Sequence, residues 1–380
     1  MKLVAMDGAV ALAPAGFLGD LGAHVVRVDR AVGDNAHHAQ LDVHTGDDWA
    51  TPMGTFGTWH PISVDLKHPR GAEVVLRLIE NADGFVEGFR PGVAERLGIG
   101  PDACLSRNPR LVYLRMTGWG QTGPLAEVAG HDFNYLAIAG AIGAFGREGE
   151  IPFPPLNLLG DMAGGLHGAL GLLAGIFEAR KSGKGQVIDA AIIDTVTSLM
   201  GFIYLMQSNG IWTTERGNNL MDGGAPFLNV YETADGKFVT VTPFEPQFWS
   251  EFLRKLGLDE SELPPEMDRA SWPELRQRIA QVFKTKTRDE WAELLEYTDA
   301  CVSPVLSLAE APDHPHNVAR GTFIRQDGAI YPAQSPRFSR TRPGLRQESP
   351  STKESRRTTL VEWGFGEAEI DRLLEGGVIV

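Results

Sequence analysis

The chain has 380 residues, which is more than one domain usually contains, so we expect one large and one smaller domain. Its 35 basic and 49 acidic side chains give a net charge of −14, which argues against a nucleic-acid partner, since such proteins need a basic surface for phosphates. The two cysteines, Cys104 and Cys301, stand far apart in the sequence and are typical of a reducing compartment. We therefore expect a cytoplasmic protein.

The first sixteen residues, "MKLVAMDGAVALAPAG", share features with a secretory signal. Asp7 interrupts the apolar run, however, and "HVVRVD" continues the chain as a buried strand. No apolar run approaches the ~20 residues that a membrane helix needs, so we expect no membrane partner.

The first half of the chain alternates strand and helix patterns. The segments "KLVAM", "HVVRVD", "GFVEGF" and "LVYLRMTGWG" predict buried strands, and helical spacing over 69–82 separates two of them. This alternation predicts a mostly parallel α/β sheet. A long apolar helix over 162–181 carries Gly164, Gly168, Gly171 and Gly175, and because glycine weakens a helix, we expect these residues to pack closely against another backbone.

The pattern changes near residue 222. The segment "NVYETADGKFVTVTPF" predicts a hairpin with a two-residue turn at Asp235-Gly236, and three amphipathic helices follow it. We therefore predict a large domain over 1–200, a linker over 201–224 and a small α+β domain over 225–325. Residues 326–380 would contain a linker, extended over 337–358, and a C-terminal helix that returns to the large domain.

Three residues are candidates for acid–base chemistry. In "AGHDFNYLAIAG", His131 is either a proton-transfer group or a loop histidine beside an aspartate that caps the next helix. Asp161 is either the N-cap of the glycine-rich helix or a carboxylate open to a ligand. These two interpretations make opposite demands on its pKa, because a helix dipole favours the ionised carboxylate and desolvation favours the acid. Glu245 stands before Pro246, at a predicted strand-to-helix corner.

A metal site is a weaker possibility. His37, His38 and His44 lie within 34–48, but they lack a strong ligand spacing, and the segment reads as a solvated loop. We therefore expect no metal.

Taken together, several long segments resemble one family. They include "GDLGAHVVRVDR", "EGFRPGVAERLGIGP", "RMTGWGQTGP", "AGHDFNYLAIAG", "PPLNLLGDMAGG", "RGNNLMDGGAPF" and "EPQFW". From about residue 18 to its end, the chain resembles the α-methylacyl-CoA racemases of the type III (CaiB/BaiF-like) CoA-transferase superfamily. The segments "GHDFNY" and "EPQFW" are the ones that separate the racemase branch from the transferases.

The resemblance implies an interlocked homodimer with a Rossmann-like large domain, completed by the C-terminal segment, and a small domain. It also implies an isomerase of fatty acid and lipid metabolism that epimerises the α-carbon of 2-methylacyl-CoA thioesters. No cofactor is implied, since CoA is part of the substrate. His131 with Glu245 would act on one face of the α-carbon and Asp161 on the other. The implied CoA contacts are Arg30, Val64, Asp65, Leu66, Lys67, Arg90, Arg96, Gly130, Asp132, Phe133, Asn134 and Tyr135.

Two alternatives remain open from the sequence. One is a type III CoA transferase in which Asp161 is the nucleophile that accepts the acyl group. The other is a non-catalytic CoA-binding relative, because "TFGTWHPIS" replaces the basic run that usually precedes "VDLK". In that segment Trp59 and His60 are candidates to stack on adenine. Apolar side chains that could contact an acyl chain are Met162, Phe202, Met206, Trp212 and Phe248.

Overall fold

The computed structural model describes residues 1–6, 8–31, 59–326, 328–341 and 353–379. These form two compact units. The first contains Met1–Ala139, Leu156–Leu199 and Gln334–Val380, and the second contains Gly140–Pro155 and Met200–Ala333. Residues 201–224, which we predicted to be a linker, thus belong to the second unit.

A six-stranded parallel sheet forms the centre of the first unit. Its spatial order is β3-β2-β1-β4-β5-β6, the order of a dinucleotide-binding Rossmann sheet. The central strands are apolar and buried on both faces, as expected for a parallel sheet covered by helices. The strands are β1 (Lys2–Met6), β2 (His24–Arg30), β3 (Trp59–Val64), β4 (Gly84–Glu87), β5 (Val112–Thr117) and β6 (Gln186–Ala191).

The helices of the first unit connect or cover these strands. They are α1 (Ala9–Asp20), α2 (Gly71–Ile79), α3 (Val93–Arg96), α4 (Pro101–Arg107), α5 (Asp132–Ile138), α7 (Asp161–Ser182), α8 (Ile192–Leu199), α14 (Lys353–Glu362) and α15 (Glu367–Glu375); α6 (Ala141–Ala144) belongs to the second unit. This α/β architecture confirms the predicted fold class.

The glycine-rich helix α7 packs closely, as predicted, but mainly against side chains and not against another backbone. A Cβ atom at Gly168 would lie 2.9 Å from Pro14 Cγ, and one at Gly175 would lie 2.8 Å from Val112 Cγ1. The close partners are therefore mainly side chains of α1 and of the sheet. At Gly171, a Cβ atom would meet Ile188 at an ordinary 3.7 Å.

The same helix meets a membrane criterion. Residues 156–182 are long and apolar enough to cross a membrane by length and composition, with a mean hydropathy of 1.3, so our expectation that no run approaches that length was wrong. Within this apolar stretch, 44% of the residues are buried inside the structure. Core helices of soluble proteins can be equally long and apolar.

The C-terminal segment supplies part of the first unit's core. Leu360, Trp363 and Ile370 are at most 1% exposed and pack with side chains of β1 to β4. Ile379 forms a bridge with Val64. Helix α14 already begins at Lys353, so the extended linker predicted over 337–358 is too long at its C-terminal end; residues 342–352 lie outside the described chain.

The second unit is an α+β unit with an aromatic core. Strands β7, β8 and β9 form one antiparallel sheet and β10 and β11 another. The predicted hairpin is present, but Thr233 pairs with Lys237, so the turn is longer than two residues. Its core includes Phe227, Trp249 and Phe283. The elements are α6, α9 (Gly201–Ser208), β7 (Asn229–Glu232), β8 (Phe238–Val241), α10 (Pro246–Leu256), α11 (Trp272–Phe283), α12 (Arg288–Leu295), β9 (Val302–Pro304), α13 (Pro315–Arg320), β10 (Phe323–Gln326) and β11 (Ala329–Pro332).

A stacked histidine pair lies where the C-terminal segment meets the sheet. The rings of His24 and His60 stack at 4.1 Å between centroids, and Trp363 Nε1 donates to His24 Nδ1 at 3.1 Å. Glu362 lies 3.5 Å from the other nitrogen of His24, and Lys2 lies over the Trp363 ring. Burial lowers the pKa of both histidines, and a positive charge on His24 lowers the pKa of His60 further.

Substitution of two glycines of α7 tests the packing. We expect Gly165→Ala to lower the free energy of unfolding by about 1–3 kcal/mol, because its Cβ would lie 2.6 Å from Ala13 Cβ. The matched control Gly171→Ala should be neutral or up to about 1 kcal/mol more stable, since alanine favours a helix. Urea unfolding measures both, and equal midpoints would contradict the packing described here.

The histidine pair predicts acid sensitivity. Because folding lowers both pKa values below 6.5, the unfolded chain binds protons that the folded chain does not. Stability from this pair is complete above that pH and is lost as the pH falls toward the folded-state values. His60→Asn should therefore lose less Tm on acidification than the wild type, whereas His316→Asn, at an exposed position of the second unit, should follow the wild type. An unchanged acid response of His60→Asn would exclude this origin.

Candidate active site

His131 is the N-cap residue of α5, after the loop that follows β5. Its backbone N–H donates to Asn134 Oδ1 at 3.0 Å, and the Asn134 N–H donates to the His131 carbonyl oxygen at 2.8 Å. These two bonds hold the backbone of His131 at the start of the helix. The residue is exposed.

Tyr135 holds the chain just before His131. Its hydroxyl donates to the carbonyl oxygen of Gly130, and its ring packs edge-on against Trp119 at 4.7 Å between centroids. A side chain at Gly118 would overlap the Tyr135 ring. The glycines of "MTGWG" and "AGHD" therefore give this aromatic pair its space.

Asp161 is the first residue of α7, and its side chain makes no capping hydrogen bond; Gly160 is the N-cap residue. Our interpretation of Asp161 as the N-cap was thus wrong. The cap comes from elsewhere: the Asp161 N–H donates to Asp132 Oδ2 at 2.7 Å, across 29 residues of sequence. The aspartate beside His131 does cap a helix, but the helix is α7.

Gly160 makes this contact possible. A Cβ atom at Gly160 would overlap the Asp132 carboxylate and lie 2.9 Å from Leu136 Cδ1. The hydrogen bond therefore joins the start of α5 to the start of α7 and brings the His131 and Asp161 segments together. Helix α7 leads into β6 of the parallel sheet, so its first residues lie at the carboxyl edge of the strands.

The electrostatics of this corner shift the pKa of Asp161 upward. Burial raises the pKa of Asp161, and the negative charge of Asp132 raises it further, whereas a positive charge on His131 and a hydrogen bond from Asn157 lower it. Burial also raises the pKa of Asp132, against the hydrogen bonds from the Asp161 and Gly160 N–H groups. Burial, together with the charges of Asp161 and Asp132, raises the pKa of Tyr135 to about 12.

Sequence reasoning missed Asn157. It lies in the short 3-10 helix Leu156–Leu158 that precedes α7, and it hydrogen-bonds to the Asp161 side chain. The available signal was its position four residues before Asp161 in "LNLLGD", which places an amide near the start of the same helix.

The predicted CoA contacts lie at the ends of neighbouring strands. Arg30 ends β2 and is exposed, and Val64 ends β3 and pairs with Arg30 in register. Val64 itself is buried, and the turn from Asp65 to Lys67 follows it, with the Lys67 N–H donating to Asp65 Oδ1 at 2.9 Å. Leu66 packs against the core. The backbone of this turn, more than its apolar side chains, is therefore what a ligand could contact.

Arg90 and Arg96 follow β4 and are exposed. Behind them lies an ion-pair network that sequence reasoning missed: Arg115 contacts Glu87 at 3.0 Å and Glu95 at 2.9 Å. Glu87 is fully buried, and its second oxygen accepts the Phe89 N–H at 2.6 Å. This network ties the Arg90–Arg96 segment to the ends of β4 and β5.

Glu245 belongs to the second unit. It is the N-cap residue of α10, in an extended conformation before Pro246, as predicted for a strand-to-helix corner. Its side chain is exposed. The pairing of Glu245 with His131 stays a prediction.

The expected adenine-stacking residues and the histidine-rich loop are the two remaining features predicted from the sequence. Trp59 and His60 are not available to stack on a ligand, because Trp59 is 3% exposed in the core and His60 stacks on His24. The loop with His37, His38 and His44 lies outside the described residues. Within the described ranges, no group of three or more His, Cys, Asp or Glu side chains could hold a metal ion.

The apolar residues predicted to contact an acyl chain differ in their exposure to solvent. Met206 is a buried core residue, whereas Phe202 is 60% exposed. Trp212 lines an open cavity of about 320 Å³ within the second unit, together with Tyr204 and Arg216.

An open Rossmann-type sheet that carries a histidine and two carboxylates at its carboxyl edge is the arrangement of an α/β enzyme. Residues 8–355 match the family described as CoA-transferase family III. The α-methylacyl-CoA racemase of Mus musculus is 42% identical over 378 residues, which cover 96% of this chain and 94% of the mouse protein. The racemase of Homo sapiens is 41% identical over 376 residues, covering 97% and 94%.

A solved structure has the same fold. A CAIB/BAIF family protein from Brucella suis superposes with a TM-score of 0.78 at 24% identity, covering 96% of this chain and 98% of that one. The chain belongs to CoA-transferase family III, a family of enzymes.

Proposed function

We propose that this enzyme epimerises the α-carbon of 2-methylacyl-CoA thioesters. The observation that carries the proposal is the 2.7 Å hydrogen bond between Asp161 and Asp132, which joins the segments of an imidazole and a carboxylate at one corner of the sheet. Inversion at a carbon next to a thioester carbonyl needs two such groups, one on each face. The racemase relatives at 41–42% identity support the same reaction class.

The proposed chemistry is a two-base proton exchange. One group takes the α-hydrogen of the thioester as a proton, leaving a planar enolate, and the other returns a proton to the opposite face. His131 and Asp161 exchange these roles when the reaction runs backwards, and Glu245 orients the imidazole, as a carboxylate does in a catalytic triad. The reaction requires no metal or redox cofactor.

The enolate oxygen needs hydrogen-bond donors. Backbone N–H groups near Asp132 and at the start of α7 are the candidates, and of these the N–H of Asp161 already donates to the Asp132 carboxylate. The N–H of Asp132, at the first position of α5, donates to no backbone carbonyl group of the described chain. We therefore infer that the Asp132 N–H faces the thioester oxygen.

Binding of the CoA portion is assigned to the carboxyl ends of β2, β3 and β4. Arg30, Lys67, Arg90 and Arg96 place positive charges there for the phosphates, in a protein that is acidic overall. In an open parallel sheet this edge is where ligands bind, and the order of the strands reverses between β1 and β4.

We also propose that the enzyme is a homodimer. Four apolar side chains of α7 are exposed on the side opposite its close-packed glycines: Leu166 (54%), Leu170 (62%), Leu173 (42%) and Phe177 (77%). Their spacing of four, three and four residues puts them on one helix face. An exposed apolar face of this length is typical of an interaction surface, and a second copy of this chain is the partner that the family resemblance implies.

Solvent exchange tests the proposed reaction. Incubation of one epimer of a 2-methylacyl-CoA in deuterated water should give both epimers with deuterium at the α-carbon. Asp161→Asn and His131→Gln should each lower the rate by about 10²–10⁴-fold, whereas Asp102→Asn, which alters an exposed carboxylate in the first turn of α4, should not. Transfer of CoA to an added carboxylate without exchange would instead establish the transferase alternative, and neither outcome would indicate the non-catalytic one.

Sedimentation velocity tests the dimer. Phe177→Glu should shift the enzyme toward monomer, because it places a charge in the apolar face of α7. Leu308→Glu is the matched control, since Leu308 is 95% exposed but lies in the second unit. A wild-type monomer, or equal effects of the two substitutions, would refute the assignment of this face.

A further inference from the structure

Asp132 is an unusual helix cap. Its side chain is only 6% exposed, and Oδ2 accepts the Asp161 N–H. Its second oxygen, Oδ1, is buried and has no hydrogen-bond partner in the described part of the chain. A buried carboxylate with one unpartnered oxygen costs free energy that a neutral cap would not.

A neutral residue could provide the same hydrogen bond. Asparagine and serine cap helices as well as aspartate does, and both are uncharged. What only the carboxylate adds at this position is its negative charge, and that charge lies directly beside Asp161. Gly160, which leaves room for the carboxylate group, belongs to the same arrangement.

We propose that Asp132 is a positioning residue for proton transfer: its buried carboxylate holds the first residue of α7 in place and puts a second negative charge next to Asp161, where it opposes the positive potential of the helix end. This inference rests on the proposed function and assigns the Asp132 side chain a part in it, separate from that of its backbone N–H.

The position of Asp161 explains why such a charge is needed. It is the first residue of a 22-residue helix, where the helix dipole favours the ionised carboxylate and so weakens Asp161 as an acid. Asp132 takes one N–H group of that helix end and opposes its positive potential. The other groups whose charges or hydrogen bonds act on Asp161 are His131, Tyr135 and Asn157.

Both reaction directions depend on this balance. In one direction Asp161 must carry the proton that it donates, and in the other its carboxylate must be basic enough to remove one. If Asp161 had a lower proton affinity, both directions would be slower. Less of the enzyme would carry the proton to be donated in one direction, and the carboxylate would be a weaker base in the other. The ratio of kcat/KM between the directions would stay at the equilibrium constant.

Asp132→Asn tests the proposal, since asparagine keeps an oxygen to accept the Asp161 N–H and replaces the charged carboxylate by a neutral amide of the same shape. We expect kcat/KM to fall about tenfold in both directions and the acid limb of its pH profile to move to lower pH. Asn157→Ala is the control of opposite sign: it removes a hydrogen bond from the Asp161 carboxylate, so its acid limb should move to higher pH. An unshifted acid limb in Asp132→Asn would overturn the proposal.

A titration without substrate separates this inference from the proposed function. Carbon-13 NMR of the aspartate carboxyl groups, assigned with Asp161→Asn and Asp132→Asn, should show Asp161 titrating in two steps in the wild type, because the two carboxylates interact. It should titrate in one step at lower pH in Asp132→Asn. If wild-type enzyme shows no α-hydrogen exchange but Asp161 titrates in two steps, the proposed reaction fails and the electrostatic role of Asp132 stands. If Asp161 titrates in the same single step in the wild type and in Asp132→Asn, that role is refuted even if the enzyme is an epimerase. The wild-type measurement stays decisive if the variant does not fold.

Discussion

One hydrogen bond determines the geometry of the candidate site. The Asp161 N–H donates to Asp132 across 29 residues, and in doing so it connects the helix that begins after His131 with the helix that begins at Asp161. Both helices also pack against α8, but this bond joins their first turns directly to each other. The bond needs a glycine at 160, and the local order of His131 needs Asn134 and Tyr135. The residues around the two candidate acid–base groups thus form one small, mutually dependent cluster.

The charges of this cluster balance one another. The end of a long helix stabilises a carboxylate, yet burial and a second carboxylate work against ionisation of Asp161. From the sequence alone, the two effects belonged to alternative interpretations of Asp161, as a helix cap or as a carboxylate open to a ligand. The structure divides them between two residues, because Asp132 caps the helix and the Asp161 carboxyl group, which makes no such cap, is hydrogen-bonded by Asn157.

Much of the fold could be predicted from local patterns. Buried strands alternating with helices identify the parallel sheet, and the glycines of α7 indicate close packing correctly at three of the four predicted positions. The boundaries of the two units could not be predicted in this way. Residues 140–155 belong to the second unit, where Arg216 donates to the carbonyl oxygen of Glu150 at 2.7 Å, and no periodicity in "AIGAFGREGEIPFPP" indicates so distant a contact.

In the candidate site, too, local features could be predicted from the sequence and contacts between distant residues could not. His131, Asp161 and Glu245 were predicted from residue type and family resemblance, and the local prediction of a helix start after Glu245 is confirmed. The capping role of Asp132, the contact of Asn157 and the Arg115 ion pairs all join residues on different elements. The errors at Trp59 and His60 have a similar cause, since Trp59 lies in the core and His60 stacks on a histidine of a neighbouring strand.

The position of Trp363 has a consequence for synthesis of the protein. This fully buried ring contacts the second strand of the sheet, and Ile379 pairs with the third, so the hydrophobic interior of the first unit includes residues from both ends of the chain. On the ribosome, the amino-terminal strands emerge long before these partners exist. Nascent chains would therefore expose apolar core residues until translation has passed residue 379. During that interval they would depend most on molecular chaperones to prevent aggregation.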